Sequence, residues 1–525
     1  MPDLIITNKP DLISLSDLSN KDIETLQELQ MLFEKEIMDF RNPFQVIFCM
    51  SSVLIVCILA KLCGYTTSEE IEVFWENNLK WIEDHLFFMQ GVAPCADTIS
   101  YVLKNINHDQ LQRLVLLRFA ERYSLAEIIP GFDEEFSVLG FRILDADGQT
   151  VTSTNRSNKN KNGKRCGGFD IVTIMDASTK AALIQLIVDK KNQEATSILK
   201  MLTDISLDGA ILTFDAINTR LALLTAIVMK GGHYFCNLKL NQKNAYEEAI
   251  TSFEILDNIL DTKIAPTSWE GHKHAAFASS TQNTGSETVD KELIALPASD
   301  VFSSEVLAKW KDANLQTVIR VNTKRYNKAS GQMECGDLYF ITDLPIIPDN
   351  CESKSTAKLN KVKNGRAKEF LTISSLKWSV ETMHQHLDNP KITNQDNHRI
   401  FNKQLLAGHT ILNKFALNIL KEVQKVSVVM HKDGLTYRDD RLPVTQLVYK
   451  ADRAENAFSY LRFYFTGDKD GLRNMGICPP LPTVIEHQHE NTEAGCFTFV
   501  SEEDKGFSLA QIFADGGGRA KRYKS

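Results

Sequence analysis

The pattern of hydrophobic and polar positions changes twice along the chain and predicts three successive regions. Before about residue 130, apolar residues recur three and four positions apart, which is typical of helices packed on one another. From Phe136, short apolar runs bounded by turn residues predict strands, and helical spacing returns at about residue 367. We therefore predict a helical domain over 1–130, with helices at 26–38, 44–63, 68–77, 97–104 and 109–123.

The stretch 209–242 has the pattern of a strand, a helix and a second strand. An apolar run at 211–214 ends at Asp215, a Leu- and Ala-rich run covers 219–230, and 234–240 is apolar again. This is the unit of a parallel sheet with a right-handed crossover, in which functional groups collect beyond the carboxyl ends of strands. Asp215 occupies that position, although an acid there is also a common helix cap or turn opener.

Three further strands precede this unit. They are expected at 141–147, 169–175 and 182–188, with the last two paired as a hairpin, and a helix follows over 193–204. We interpret 131–244 as the first part of an α/β core of the ribonuclease-H type. In that core the first and fourth strands are neighbours, so Asp147 and Asp215 would lie close together.

The remainder of the chain predicts an insertion, a return to helices and an extension. Residues 245–366 form a β-rich insertion with strands at 317–322 and 337–342, whereas the polar segment 271–290 is expected to be a loop or disordered. Residues 367–428 predict the C-terminal helices of the core, at 368–386 and 402–424, and 429–525 form an extension without an assigned role.

Composition restricts the class of protein. The 525 residues carry a net charge of −8, so contacts with nucleic acid would have to come from local basic patches. Ten cysteines without a CxxC pair indicate free thiols in a reducing compartment. The apolar run 44–63 is long enough for a bilayer, but Gln45, Ser51, Ser52 and Lys61 interrupt it, so we predict a buried helix and no membrane contact.

Three acids are candidates for one metal site: Asp147, Asp215 and Glu381. Carboxylates gathered at one place cannot all ionise cheaply without a cation, and hard oxygen ligands select Mg²⁺ or Mn²⁺. Two such ions can activate water or a 3′-hydroxyl and stabilise the leaving oxygen of a phosphodiester. Because the chain contains 67 acids, spacing alone leaves this assignment open.

Residues 28–424 resemble bacterial insertion-sequence transposases of the DDE type, in the group of H-repeat-associated proteins. The resemblance rests on five motifs in order, namely Asp145-Ala-Asp-Gly-Gln-Thr, Lys190-Lys-Asn-Gln-Glu, Leu207-Asp-Gly-Ala-Ile-Leu-Thr-Phe-Asp-Ala, Leu238-Lys-Leu-Asn-Gln and Trp378-Ser-Val-Glu. It implies catalytic and metal-binding roles for Asp147, Asp215 and Glu381, with Asp147 preferred to Asp145 because it precedes the glycine.

The resemblance also implies a function. Such a protein would bind the terminal inverted repeats of its element, cleave the DNA ends and join them to target DNA, as a homodimer in the bacterial cytoplasm and nucleoid. Three departures leave open a catalytically decayed, DNA-binding relic. Gln149 stands where the family has Lys, Thr382 stands where it has Asn, and only Lys377 precedes Trp378.

Basic and polar residues near the acids are candidates for DNA contacts. Those selected are Arg156, Lys159, Lys161, Lys164, Arg165, Lys239, Asn241 and Lys377. A lysine-rich run is often only a solvated loop, and residues at a strand end can simply cap it. Further basic runs lie at 354–368 and 519–524, while the His384 and His386 pair would diverge on a helix and does not predict a zinc site.

Overall fold

The fold is seen in a computed structural model of the chain. The structure describes residues 23–87, 91–119, 140–151, 154, 168–188, 194–262, 274–352, 355–377, 379–397, 399–429 and 441–479. The predictions for 120–139, for the basic run at 156–165 and for residues beyond 479 lie outside these ranges.

The N-terminal region is helical, as predicted. Its helices are α1 (Leu26–Glu36), α2 (Met50–Leu62), α3 (Ser68–Asn77), α4 (Leu79–His85), α5 (Ala96–Asn105) and α6 (His108–Gln112). Reciprocal capping by Thr25 with Glu28, and by Thr67 with Glu70, fixes where α1 and α3 begin. The sequence prediction missed α4, and α6 continues as a π-helical stretch at Arg113–Arg118.

The apolar run at 44–63 forms a buried helix, but a shorter one than predicted. Helix α2 begins only at Met50, and all 13 of its residues are buried. Lys61 remains inside because its ammonium group donates to Oδ1 of Asn413 at 2.7 Å, and burial lowers the pKa of this lysine to about 8. Among the described residues, no helix has the length and apolar character needed to cross a bilayer.

The strands of the described ranges form one mixed sheet. They are β1 (Arg142–Val151), β2 (Phe169–Asp176), β3 (Ala181–Val188), β4 (Ala210–Phe214), β5 (His233–Leu238), β6 (Ala276–Asn283), β7 (Glu287–Pro297), β8 (Thr317–Asn327) and β9 (Met333–Thr342). Their order is β3-β2-β1-β4-β5-β9-β8-β7-β6. The predicted hairpin of β2 and β3 is confirmed, and β1 lies beside β4 in parallel.

The insertion adds four strands to the same sheet. Strand β9 pairs with β5, and β8, β7 and β6 follow as antiparallel neighbours. The prediction of a loop or disorder over 271–290 is wrong where the structure describes it, because 276–283 form β6 and β7 begins at Glu287. The polar composition misled the prediction, since the outer half of β6 is exposed and pairs on one side only.

Helices cover both faces of the sheet. Buried side chains of α7 (Glu194–Met201), α8 (Leu221–Met229) and α9 (Lys243–Thr262) share one core with β1–β5, together with the short helices α10 (Ala298–Val301) and α11 (Ser304–Lys309). On the other face, α12 (Thr356–Leu376) packs against β6 and β7. The result is a mixed α/β fold with a large mixed sheet and an N-terminal helical region.

The predicted helix at 368–386 is two helices in the structure. Helix α12 ends at Leu376, and α13 (Ser379–Asp388) begins three residues later and packs on β1. The first of them begins earlier than the predicted residue 368, because α12 already begins at Thr356. Lys363 and Arg366 of this basic run are buried, so only part of it can face DNA.

Helix α14 (Lys403–Val426) joins the helical region to the sheet. It packs against α2, α5 and β3, and a Cβ atom at Gly408 would collide with the carbonyl oxygen of Leu103 in α5. The C-terminal helices α15 (Val444–Lys450), α16 (Ala454–Thr466) and α17 (Asp470–Asn474) contribute side chains to the same core. Residues 441–479 therefore belong to the helical core, although the sequence assigned them no role.

Candidate active site

Parallel pairing brings two of the predicted acids to the same edge of the sheet. Ala146 of β1 lies opposite Phe214 of β4, so Asp147 and Asp215 follow at the same level. Strand β4 ends at Phe214 whereas β1 continues to Val151, so Asp147 lies on β1 beside the carboxyl end of β4, where functional groups collect in such sheets. The third acid, Glu381, lies in the first turn of α13, the helix that packs on β1.

Asp147 has the most perturbed pKa of the three acids. Burial, together with the negative charges of Asp215, Glu194 and Glu381, raises the pKa of this carboxyl to about 7, against the opposing hydrogen bond from the Gly148 N–H. Its side chain is still 26% exposed. The carboxyl group is thus accessible to solvent, and the charges of three nearby acids affect its pKa.

Asp215 has the opposite shift because two lysines surround it. Burial favours its protonated form, but the positive charges of Lys377 and Lys239 outweigh burial and hold the pKa of Asp215 below its usual value. The Lys377 ammonium lies 2.7 Å from Oδ1 of Asp215, and the lysine side chain is only 7% exposed. Asp215 is therefore ionised and already paired with a cation from the protein.

Glu381 is exposed at the rim of the site. Burial raises the pKa of Glu381, the charge of Asp215 adds to this effect, and Lys377 opposes it. Among the described residues, no group of three His, Cys, Asp or Glu side chains stands close enough to form a ready-made metal site. The three acids are coupled electrostatically without converging on one point.

Asp145, the competing acid on β1, lies in a different environment. It is 1% exposed, and Thr213 Oγ1 donates to its Oδ1 at 2.9 Å. Burial raises the pKa of Asp145 to about 8, so its carboxyl group is mostly protonated at neutral pH. This placement favours Asp147, the more exposed of the two, as the acid that meets a substrate.

Only three of the predicted DNA-binding residues can be located. Lys239 and Asn241 line a cavity of about 460 Å³ next to Asp215, together with the exposed side chains of Ile217 and Leu240. The Asn241 side chain donates to the carbonyl of Ala216 and thus acts as a cap. Lys377 is buried against Asp215, whereas Arg156, Lys159, Lys161, Lys164 and Arg165 lie outside the described residues.

Two side-chain contacts at β1, made by Gln149 and Glu194, were not predicted. Gln149 Nε2 donates to both carboxylate oxygens of Asp388 on α13, at 2.7 and 2.8 Å. Glu194 lies against Gly148, where a Cβ atom would collide with its carboxylate, and it accepts a hydrogen bond from Asn218. Glu194 closes the second motif of the resemblance, and Gln149 is one of its departures, so the sequence did contain a signal for both.

Comparison with known proteins decides the family. The Transposase DDE domain matches residues 139–419, which is more than half of the chain. The chain belongs to the DDE transposase family. A second family, described as DDE_Tnp_1-associated, matches residues 33–118 and covers most of the N-terminal helices.

Several curated relatives of this family member come from Escherichia coli. "Putative protein YbfL" of strain K12 is 26% identical over 226 residues, which are 42% of this chain and 55% of the relative. "Putative transposase YncI" of O157:H7 is 27% identical over 215 residues, or 40% of this chain and 50% of the relative. "H repeat-associated putative transposase YhhI" of K12 is 25% identical over 226 residues, again 42% and 55%. The chain thus spans about half the length of these relatives.

One solved structure is similar over most of its length. It is a piggyBac transposase synaptic complex with hairpin DNA, which matches 88% of this chain and 87% of that chain at 10% identity, with a TM-score of 0.32.

Proposed function

We propose that this DDE family member is a DNA transposase that cleaves the ends of an insertion sequence and transfers them to target DNA. The observation that carries the proposal is the parallel pairing of β1 with β4, which sets Asp147 level with Asp215 beneath the helix that bears Glu381. A ribonuclease-H-like core, comprising β1–β5 and the helices after the insertion, is part of the proposal.

The donor set fits a divalent cation. Asp147, Asp215 and Glu381 offer hard oxygen ligands. Burial, with added repulsion from neighbouring acids, raises the pKa of Asp147 and Glu381, and a bound cation would relieve that repulsion. When bound, Mg²⁺ or Mn²⁺ would activate the attacking oxygen and stabilise the leaving oxygen. The protein would position the two aspartates on adjacent strands and supply Glu381 from α13.

Lysines beside the acids support DNA as the substrate. Lys239 is exposed next to Asp215 and fits a contact to a phosphate flanking the scissile bond, while Ile217 and Leu240 offer apolar surface to a sugar or base. The predicted contacts of Arg156, Lys159, Lys161, Lys164 and Arg165 remain part of this proposal. So do binding to terminal inverted repeats, a homodimer on DNA and a nucleoid-associated location.

The test is cleavage of DNA that carries the inverted repeats flanking the gene. In Mg²⁺, Asp215→Asn should lose on the order of 10³-fold in cleavage rate, because several kcal/mol of transition-state stabilisation depend on the metal site. Asp208→Asn changes an exposed acid just before β4 and should leave the rate unchanged. Equal rates for Asp215→Asn and wild type would refute the carboxylate assignment.

The second candidate function is a catalytically decayed DNA-binding protein. The observation that favours it is the ion pair of Lys377 with Asp215, which fills one side of the carboxylate that a metal ion would need. A gel shift on the same DNA that persists in EDTA, with no cleavage in Mg²⁺ or Mn²⁺, would favour this alternative over the transposase.

A further inference from the structure

His384 faces the first candidate carboxylate from the opposing helix. It lies on α13 three residues after Glu381, and positions three apart share one face of a helix. Its Nδ1 is 3.8 Å from Oδ2 of Asp147, and the histidine side chain is only 12% exposed. Nε2 of the ring is buried without a hydrogen-bond partner within the described structure.

The distance between Nδ1 of His384 and Oδ2 of Asp147 matches the separation of two ligands of one metal ion. A separation of 3.8 Å is too long for a hydrogen bond, which joins such atoms at about 2.7–3.2 Å. Two ligands that are each about 2.1 Å from one ion lie between about 3 Å and about 4.2 Å apart, depending on the angle between them. The observed distance falls inside that interval.

His386 shows what a structural histidine on the same helix does. Its Nδ1 bonds to the carbonyl of Thr382 one turn back, and its Nε2 lies 3.2 Å from the Lys421 ammonium. It therefore points away from β1 and serves the helix itself. His384, two residues earlier, instead directs its ring at the carboxylate of Asp147.

We propose that His384 is an additional ligand of the divalent ion held by Asp147, and that it biases this site toward Mn²⁺ over Mg²⁺. An imidazole nitrogen suits transition-metal ions, whereas Mg²⁺ takes oxygen ligands almost exclusively. A Glu-x-x-His pair on one helix, facing a carboxylate on another element, is an arrangement that proteins use for transition-metal carboxylate sites. The inference rests on the metal site of the proposed function.

The test is electron spin-echo spectroscopy of Mn²⁺ bound to the full chain, which detects ¹⁴N nuclei in the first coordination sphere. Wild type should show ¹⁴N modulation, His384→Gln should lose it, and His386→Gln should retain it. His384→Gln should weaken Mn²⁺ binding by at least about tenfold. This is the lower end of the loss in affinity observed even when a residue that only hydrogen-bonds to a metal ligand is mutated. Mg²⁺ binding should change much less.

Two results would overturn the inference in distinguishable ways. If Asp147→Asn abolishes Mn²⁺ binding but wild type lacks ¹⁴N modulation, His384 is not a ligand while the carboxylate site stands. If Mn²⁺ binding is unaffected by Asp147→Asn, the metal site of the proposed function fails as well. Should His384→Gln not fold, wild type containing ¹⁵N-histidine replaces it, because the modulation pattern must then change to that of ¹⁵N.

Discussion

Burial and neighbouring charges together decide the protonation state of each acid at the candidate site. Burial, with the charges of nearby carboxylates, raises the pKa of Asp147 to about 7, whereas Lys377 and Lys239 keep Asp215, one strand away, ionised. A divalent cation placed between them would favour the ionised form of Asp147, and it would compete with Lys377 for the carboxylate of Asp215. Metal binding should therefore depend on pH and on Lys377.

The shifted pKa of Asp147 predicts a pH-dependent stability. The folded pKa of about 7 lies above that of an unfolded aspartate, so the folded state binds the proton more tightly and loses stability as pH rises toward 7. Asp147→Asn removes this cost. In EDTA its free energy of unfolding should exceed that of wild type by about 2 kcal/mol more at pH 8 than at pH 5, after allowance for partial exposure. Denaturant titration at the two pH values measures this difference. An advantage that is independent of pH would contradict the assigned shift.

Removing Lys377 should expose Asp215 to the metal. Without the ammonium at 2.7 Å, Lys239 remains among the described residues to offset the other acids. The Asp215 carboxylate then becomes available as a ligand for a divalent ion. Lys377→Met should bind Mn²⁺ several-fold more tightly, as measured by the loss of the free-ion resonance signal. Lys239→Met serves as the control, because this lysine is exposed and it is Lys377 that forms the close ion pair with Asp215, so the loss of Lys239 should matter less. Weaker binding by Lys377→Met would mean that the lysine supports the site.

At the scale of elements, the candidate site depends on how α13 is held on β1. Gln149 on β1 donates two hydrogen bonds to Asp388 on α13, and Gln395 donates to Gln149 from the segment that follows. Strand β1 carries Asp147 and α13 carries Glu381, so this contact helps to set the spacing of the two acids.

Cutting this link should reduce cleavage without unfolding the protein. Gln149→Leu loses bonds to a charged acceptor, which contribute about 1.5–3 kcal/mol each, so hydrogen exchange in 379–388 should accelerate and the cleavage rate should fall. Gln149→Lys, which introduces the residue typical of the family, should preserve activity by forming an ion pair with Asp388. Equal activity of Gln149→Leu and wild type would show that the link does not position α13.

The elements that could be predicted are those whose sequence pattern matches their burial. The strands from β1 to β5 and the helix α14 bury apolar faces, and their periodicity revealed them. Strand β6 could not be predicted because its outer residues are polar and exposed, and only pairing with β7 makes them a strand. The contacts of Gln149 and His384 with the site depend on the packing of α13, which no local pattern encodes.

At the scale of the whole molecule, the C-terminal helices complete the core that the N-terminal helices begin. Phe465 of α16 packs edge-on against Phe119, with ring centroids 4.9 Å apart, and Tyr464 packs against Phe415 of α14. Periodicity along the chain does not indicate this role, because Phe119 and Phe465 are more than 300 positions apart and such a contact leaves no periodic signal.

Truncating this contact should destabilise the whole molecule. Phe465→Ala leaves a cavity at a fully buried position and should cost about 3–5 kcal/mol in the free energy of unfolding. Tyr449→Ala, at a side chain that is 85% exposed on the neighbouring helix α15, should change it by less than about 0.5 kcal/mol. Denaturant titration followed by circular dichroism measures both, and similar values would mean that α16 packs independently of the core.

The central claim is that a divalent ion binds Asp147 and Asp215 and draws Glu381 toward it. An anomalous difference map from crystals grown in Mn²⁺ tests it most directly, because the map locates the metal without reference to activity. We predict a peak within about 2.2 Å of carboxylate oxygens of both Asp147 and Asp215, with Glu381 drawn toward it. No peak at this edge of the sheet at saturating Mn²⁺, or a peak bound by other residues, would contradict the account.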